Sequence, residues 1–113
     1  MADALPNRDS LLLEHCQADA SKMDEGVLAQ VLKQLDGWTR SGESITRSYK
    51  FTNYFHTMAF VNAVASVAHR EDHHPDLGVF YSRCDVTFST HSAGGLTTND
   101  FALAAKIQQL VAA

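Results

Sequence analysis

Three of the six histidines of this chain lie in one polar stretch, between Glu71 and Asp100. Histidine can donate or accept a proton near neutral pH, because its ordinary pKa is about 6.5. The residues of this stretch that could take part in chemistry are Asp72, His73, His74, Tyr81, Ser89, Thr90, His91 and Asp100. Pro75 follows the histidine pair and pushes His74 towards an extended backbone. We therefore predict that the pair lies at a sharp junction where a helix ends and a strand begins.

Three kinds of chemistry are open to this set of histidines. A zinc site is not predicted, because adjacent histidines diverge and the chain has no His-Glu-x-x-His or His-x-His spacing. A nucleophilic serine is disfavoured, because Ser89 and His91 share one strand face without a glycine-rich elbow. General acid–base catalysis needs only two imidazoles on opposite sides of a small substrate, and Asp72 and Asp100 could fix their tautomers. The alternative for any single histidine is an ordinary surface or core residue.

Composition limits the classes to which the protein could belong. The chain has 113 residues, the length of one domain, and its net charge is −4 without a basic run, so nucleic-acid binding is not indicated. Cys16 and Cys84 are far apart and match no metal or redox spacing, which fits a reducing compartment. The sequence has no apolar run long enough to span a membrane. These features predict a cytoplasmic protein.

Hydrophobic periodicity predicts the element order α-β-β-α-β-β-α. Residues 1–20 show little periodicity and are predicted to form a loose N-terminal arm with one short turn near Leu11 to His15, and residues 21–113 a single domain. Ser21 is predicted to cap the first helix, and Gly37 to follow its end. The predicted strands begin at Trp38 and span residues 44–51, 77–81 and 83–90. His91 is predicted on the polar face at the end of the last strand.

The remaining signals complete the predicted fold and suggest a partner. Thr97 to Asp100 form a capping box before the last helix. Short hairpins predict an α+β fold, a four-stranded antiparallel sheet with three helices packed on one face. The helix from about Thr52 to Arg70 has two apolar sides, so we predict a homodimer or homotetramer that buries the second. The first side holds Phe55, Met58, Ala59 and Asn62, and the second holds Phe60, Val61, Val64, Val67 and Ala68.

From about Asp24 to Leu110, the sequence resembles the pterin-4a-carbinolamine dehydratases, also called dimerisation cofactors of a homeodomain transcription factor. The spacing of His69, His73-His74-Pro75, Tyr81, His91 and Asp100 carries the resemblance, together with Asp72, Ser89-Thr90, Thr97, Trp38 and the helix start from Phe51 to Phe60. The N-terminal arm, with Cys16, lies outside it. This arm is similar to that of bacterial members, which accompany phenylalanine hydroxylase.

The resemblance implies a reaction and a set of residue roles. The family dehydrates the 4a-hydroxytetrahydrobiopterin left by aromatic amino-acid hydroxylases to quinonoid dihydrobiopterin and water, without metal or cofactor. It implies that His73 and His91 are the acid–base pair, in an order left open, and that His74 orients the substrate. It also implies that Asp72, Ser89, Thr90 and Ser92 line the pocket. Asp100 either only caps a helix or also positions a histidine.

Two other functions stay open at this point. Animal members of the family bind a transcription factor through the helix face that also builds the tetramer, so a binding or scaffold module is one alternative. A dehydratase for a related pterin, such as a molybdopterin-linked one, is another. The presence of His73, His74 and His91 together favours an enzyme, because a scaffold has no use for three such residues.

Overall fold

The computed structural model describes residues 6–111 of the chain. The helices are α1 (Arg8–Leu13), α2 (Glu25–Leu32), α3 (Tyr54–Glu71) and α4 (Thr98–Val111). The strands are β1 (Thr39–Ser41), β2 (Ser44–Lys50), β3 (Asp76–Val79) and β4 (Arg83–Phe88), and a short 3-10 helix spans His91–Ala93. No helix in this part of the chain is long and apolar enough to cross a membrane.

The four strands form one antiparallel sheet in the order β1-β2-β4-β3, which confirms the predicted α+β class. Side chains alternate between the two faces of a strand. Cys84, Val86 and Phe88 therefore point the same way, and all three are fully buried. They form one core with apolar residues of α2, α3 and α4. The opposite face is polar, and Ser48 donates a hydrogen bond to Asp85 there at 2.6 Å.

A fourth helix, α1, lies in the region where the sequence predicts a loose arm. Asn7 caps it through a reciprocal pair of hydrogen bonds with Ser10, and Leu11 is fully buried. The amino group of Lys106 in α4 donates to the carbonyl of Leu12 at 2.6 Å. A helix of six residues turns only one buried side chain towards the core. One buried residue is too few to give α1 a hydrophobic periodicity in the sequence.

The start of α2 differs from the prediction. Asp24 caps the helix instead of Ser21, and its carboxylate accepts the N–H groups of Gly26 and Val27. The reason lies one residue earlier, where the Met23 N–H donates to the carbonyl of Leu96 at 2.8 Å. Because the Met23 N–H is bonded to the loop before α4, it is not part of the helix, and α2 begins only after Asp24. Gly37, with φ +84°, follows the helix after a short turn.

One apolar side of α3 faces the core of the same subunit, and the other is exposed. Asn53 caps the helix, and Phe60, Val64 and Val67 are buried against the sheet and α4. Phe55, on the other side, is 74% exposed. The two-sided pattern in the sequence therefore separates into an internal face and an uncovered one.

Strand β4 ends two residues earlier than predicted. Its last residue, Phe88, pairs with Ile45 near the start of β2, and the first residue of β3 already lies opposite Thr87. Beyond Phe88 the strand therefore loses its neighbours. His91 consequently starts the 3-10 helix instead of ending a strand, and Gly94, with φ +76°, closes that turn.

Candidate active site

The histidine pair lies at the junction between α3 and β3, as predicted. Asp72 ends the helix in the left-handed conformation, with φ 53°, and the His73 N–H donates to the carbonyl of Ala68. Pro75 then directs the chain into β3. The side chain of His73 turns inward and is 13% exposed, whereas His74 is exposed. The two neighbouring imidazoles thus occupy different environments.

His73 is held by a buried carboxylate and an aromatic ring. Its Nε2 atom lies 2.7 Å from Oδ1 of Asp100, whose side chain is completely buried. Its ring stacks on that of Phe88, with 6.0 Å between centroids and 10° between planes. Strand β4 and helix α4 therefore both fix the orientation of this imidazole.

Asp100 also contacts the residues that precede α4. Its Oδ2 atom accepts the Thr90 hydroxyl at 2.7 Å and the Thr97 N–H at 2.9 Å. The Thr97 hydroxyl accepts the Asn99 N–H at 3.2 Å, and the Asp100 N–H donates to the Thr97 carbonyl. Of the predicted capping box, the start of α4 therefore has the half in which Asp100 accepts the Thr97 N–H. A carboxylate surrounded by donors favours a proton on Nε2 of His73, because that nitrogen can then donate to Oδ1.

His91 lies beside a small cavity at the end of β4. Its Nε2 atom is 3.3 Å from the hydroxyl of Ser89. The cavity measures about 170 Å³, and it is lined by Glu43, Ser89, Thr90, His91, Gly94 and Gly95. Thr90 connects this cavity to the buried pair, because its hydroxyl binds Asp100. The structure thus places His73, Thr90 and Asp100 in one network, with Ser89 and His91 at its edge.

Three of the candidate residues are not part of that network. Asp72, His74 and Ser92 are exposed, and they make no side-chain hydrogen bond to the residues between 6 and 111. Within this range no group of three or more His, Cys, Asp or Glu side chains has the geometry to hold a metal ion.

Sequence reasoning missed a buried polar cluster next to the candidate site. Glu71, at the end of α3, has a side chain that is 4% exposed and accepts the Cys16 N–H at 2.9 Å. Burial acts to raise the pKa of Glu71, but the Cys16 N–H and His15 outweigh it, and the net result is a lowered pKa. Burial, reinforced by Glu71, raises the pKa of the Cys16 thiol to about 12. No sequence motif indicates this cluster, because Cys16 and Glu71 are 55 residues apart in the chain.

Glu43 is the other residue that sequence reasoning missed. It lies in the turn between β1 and β2, and its side chain lines the cavity beside His91. Nothing in the sequence relates this turn to the end of β4. Only the antiparallel pairing of Ile45 with Phe88 brings the two segments together.

The fold and this geometry define a class of protein. A buried carboxylate contacts one imidazole, a second imidazole lines a cavity together with the threonine that binds this carboxylate, and an α+β fold supports both. This arrangement is typical of sites that move protons. The model of the family described as pterin 4 alpha carbinolamine dehydratase matches residues 21–110. The chain belongs to this family.

Curated relatives agree with the family match. A protein of Xanthomonas campestris pv. campestris strain 8004 is 49% identical over 112 residues, which cover 97% of this chain and 94% of that protein. A protein of Nitrosospira multiformis is 48% identical over 95 residues, 84% of each chain. Both carry the provisional name of pterin-4-alpha-carbinolamine dehydratase.

Two solved structures share the fold. A transcriptional coactivator/pterin dehydratase from Brucella melitensis is 35% identical, with a TM-score of 0.78 over 81% of this chain and 100% of that one. A pterin dehydratase-like protein, described as a RuBisCO assembly factor in the alpha-carboxysome, is 19% identical. Its TM-score is 0.57, over 67% of this chain and 88% of that one. The second likeness concerns the fold alone.

Proposed function

We propose that this protein dehydrates 4a-hydroxytetrahydrobiopterin to quinonoid dihydrobiopterin and water by histidine acid–base catalysis. Family membership supports the substrate class. The observation that carries the proposal of histidine catalysis is the 2.7 Å contact between Nε2 of His73 and the buried carboxylate of Asp100. A buried, oriented imidazole is what proton transfer to or from a small substrate requires.

The proposed reaction needs one acid and one base. The C4a–O bond of the substrate breaks, and the leaving hydroxyl takes a proton to become water. The proton on N5 is removed, and its bonding electrons form the N5–C4a double bond. Both proton transfers are proposed to occur around one flat ring, so two imidazoles on opposite sides are sufficient.

We assign the base to His73 and the acid to His91. When Nε2 of His73 carries the proton shared with Asp100, the lone pair belongs to Nδ1, and that atom can accept the N5 proton. His91, beside the cavity and within reach of Ser89, is then available to protonate the hydroxyl. Asp100 is proposed to act through His73 instead of touching the substrate, because both of its oxygens already have partners.

The remaining candidates are proposed to bind the pterin. His74 and Asp72 flank the buried imidazole in the sequence, and Ser89, Thr90 and Ser92 surround His91. In this proposal His74 orients the ring, and the others contact its polar edge. We also propose that the reaction follows aromatic amino-acid hydroxylation, that of phenylalanine in particular, because a hydroxylase produces the carbinolamine.

The experiment is a direct assay. Ultraviolet spectra record the decay of 4a-hydroxytetrahydropterin, generated in place by a pterin-dependent hydroxylase, with and without the purified protein. Acceleration proportional to protein concentration is expected. A decay rate unchanged by micromolar protein would contradict the proposal.

We further propose that the protein assembles as a homodimer or homotetramer through the outer side of α3. Phe55 is 74% exposed, and Leu110 and Val111 at the end of α4 are also exposed. An open cleft of about 630 Å³ lies between these elements, lined by Lys50, Phe51, Thr52, His56, Ala59, Phe60, Ala63, Leu110 and Val111. An apolar surface of this kind is stabilised when a second subunit covers it.

A further inference from the structure

Three consecutive residues, His15, Cys16 and Gln17, connect the end of α3 to the start of α4. We name them the bridging segment. The Cys16 N–H donates to Oε1 of Glu71 at 2.9 Å, and Nδ1 of His15 lies 3.1 Å from Oε2. The Gln17 N–H donates to Oδ1 of Asn99 at 3.0 Å, and Nδ2 of Asn99 donates back to the Gln17 carbonyl at 2.7 Å.

The two side chains that receive this segment are buried. Glu71 has a side chain that is 4% exposed, and Asn99 is 6% exposed. Buried polar groups that lose their partners destabilise the protein strongly. The bridging segment is therefore held firmly in place, although it contains no helix or strand.

The positions of Glu71 and Asn99 connect this segment to the candidate site. Glu71 precedes His73 by two residues, and Asn99 directly precedes Asp100. Adjacent residues of a helix point about 100° apart, so Asn99 can face the bridging segment while Asp100 faces His73. The bridging segment therefore joins the end of α3 to the start of α4, and the His73–Asp100 contact joins the same two regions.

We propose that Glu71 and Asn99 are positioning residues, which act through the bridging segment to hold His73 and Asp100 at their working distance. The catalytic consequence rests on the proposed function, whereas the effect on geometry does not. Proton transfer depends steeply on distance, and a displacement of about 1 Å costs up to roughly 10²-fold in rate. A loosened bridge should therefore reduce turnover more than substrate binding.

A second contact anchors the same arm without a hydrogen bond to Glu71 or Asn99. The amino group of Lys106 donates to the Leu12 carbonyl at 2.6 Å. Lys106 lies six residues after Asp100, which is roughly 9 Å along the helix axis. Lys106→Met weakens the attachment of the arm but removes no hydrogen bond of Glu71 or Asn99, and it serves as the matched control.

The experiment compares four variants of the full-length protein. Asn99→Ala and Glu71→Leu should lower kcat by about 10- to 100-fold and change KM by less than about twofold. Glu71→Gln should retain most of the activity, because its amide oxygen still accepts the Cys16 N–H. Lys106→Met should keep the kcat of the unmodified protein even where it melts lower.

A second readout does not depend on turnover. In the unmodified protein and in Lys106→Met, the Nε2 proton of His73 should give a distinct NMR signal, because Asp100 protects it from exchange. The signal should broaden or vanish in Asn99→Ala. If Asn99→Ala does not fold, Asn99→Ser replaces it in both measurements.

The two readouts separate the possible failures. An NMR signal that is the same in all variants would overturn the inference, whatever the activity. Equal loss of kcat in Lys106→Met and Asn99→Ala would also overturn it, because general loosening of the arm would then explain the loss. An unmodified protein without activity, whose Nε2 signal is still lost in Asn99→Ala, would contradict the proposed function and leave the positioning role supported.

Discussion

At the scale of single residues, Asp100 is the group on which the site depends most. It is fully buried, binds His73 and receives two further donors. Asp100→Asn keeps the size of the side chain but can present an N–H group towards His73, which disturbs the tautomer. We expect kcat to fall by about 10²-fold and the free energy of unfolding by about 1–3 kcal/mol. Steady-state rates beside a thermal melt check this, and normal turnover in a destabilised variant would contradict it.

Glu71 gives a prediction about pH. Its pKa lies below the ordinary value of 4.5, so the folded state binds the proton more weakly than the unfolded state does. The stabilisation is fully present above pH 4.5 and is lost as pH falls through the lowered pKa. The melting temperature of Glu71→Gln should therefore decline less steeply between about pH 5 and pH 3 than that of the unmodified protein. Parallel melting curves over this range would contradict the prediction.

Residue chemistry was partly predictable from the sequence. The hydrogen bond from the Thr97 N–H to the Asp100 carboxylate is local, and it could be predicted from a spacing of three residues. The contact between Asp100 and His73 spans 27 residues, and only its chemical plausibility could be stated. The sequence contains no pattern that predicts the contact between Glu71 and Cys16. A glutamate that is buried at a helix end cannot be distinguished in the sequence from an exposed one.

At the scale of elements, α3 carries the candidate site at one end and an ordinary cap at the other. The Asn53 side chain accepts the His56 N–H at 2.9 Å. The 18 residues of α3 place this cap roughly 27 Å from His73. Asn53→Ala should lower the free energy of unfolding by about 1 kcal/mol and leave kcat unchanged. Thermal melts and steady-state rates test this, and loss of kcat in a folded variant would contradict it.

The elements that sequence patterns predicted well are those with several buried residues. Strand β4 alternates Cys84, Val86 and Phe88, and α3 repeats Phe60, Val64 and Val67, so periodicity revealed both. Short elements failed for the opposite reason. Helix α1 buries Leu11 alone, and the end of β4 depends on where its neighbours stop, which no local pattern encodes.

At the scale of the whole molecule, the uncovered side of α3 predicts self-association. Val64 and Val67 face the core of their own subunit, so a charge there would unfold the protein instead of dissociating it. Phe55→Asp places the charge on the exposed side. We expect light scattering to report a smaller assembly. The separated subunits should stay folded, so the melting temperature should be that of the single subunit. The proposal fails if the unmodified protein is a monomer at micromolar concentration, or if Phe55→Asp leaves the assembled mass unchanged.

Turnover measured beside thermal stability decides whether His73 and His91 transfer protons during dehydration. His73→Ala and His91→Ala should each lower kcat by about 10²–10⁴-fold, whereas His74→Ala should act mainly on KM. The double variant of His73 and His91 should lose less than the product of the single losses, because the two residues act together. Thermal melts should show folded variants at the assay temperature. A His73→Ala protein that melts several degrees lower but keeps near-normal turnover below its midpoint would contradict a role of His73 in proton transfer.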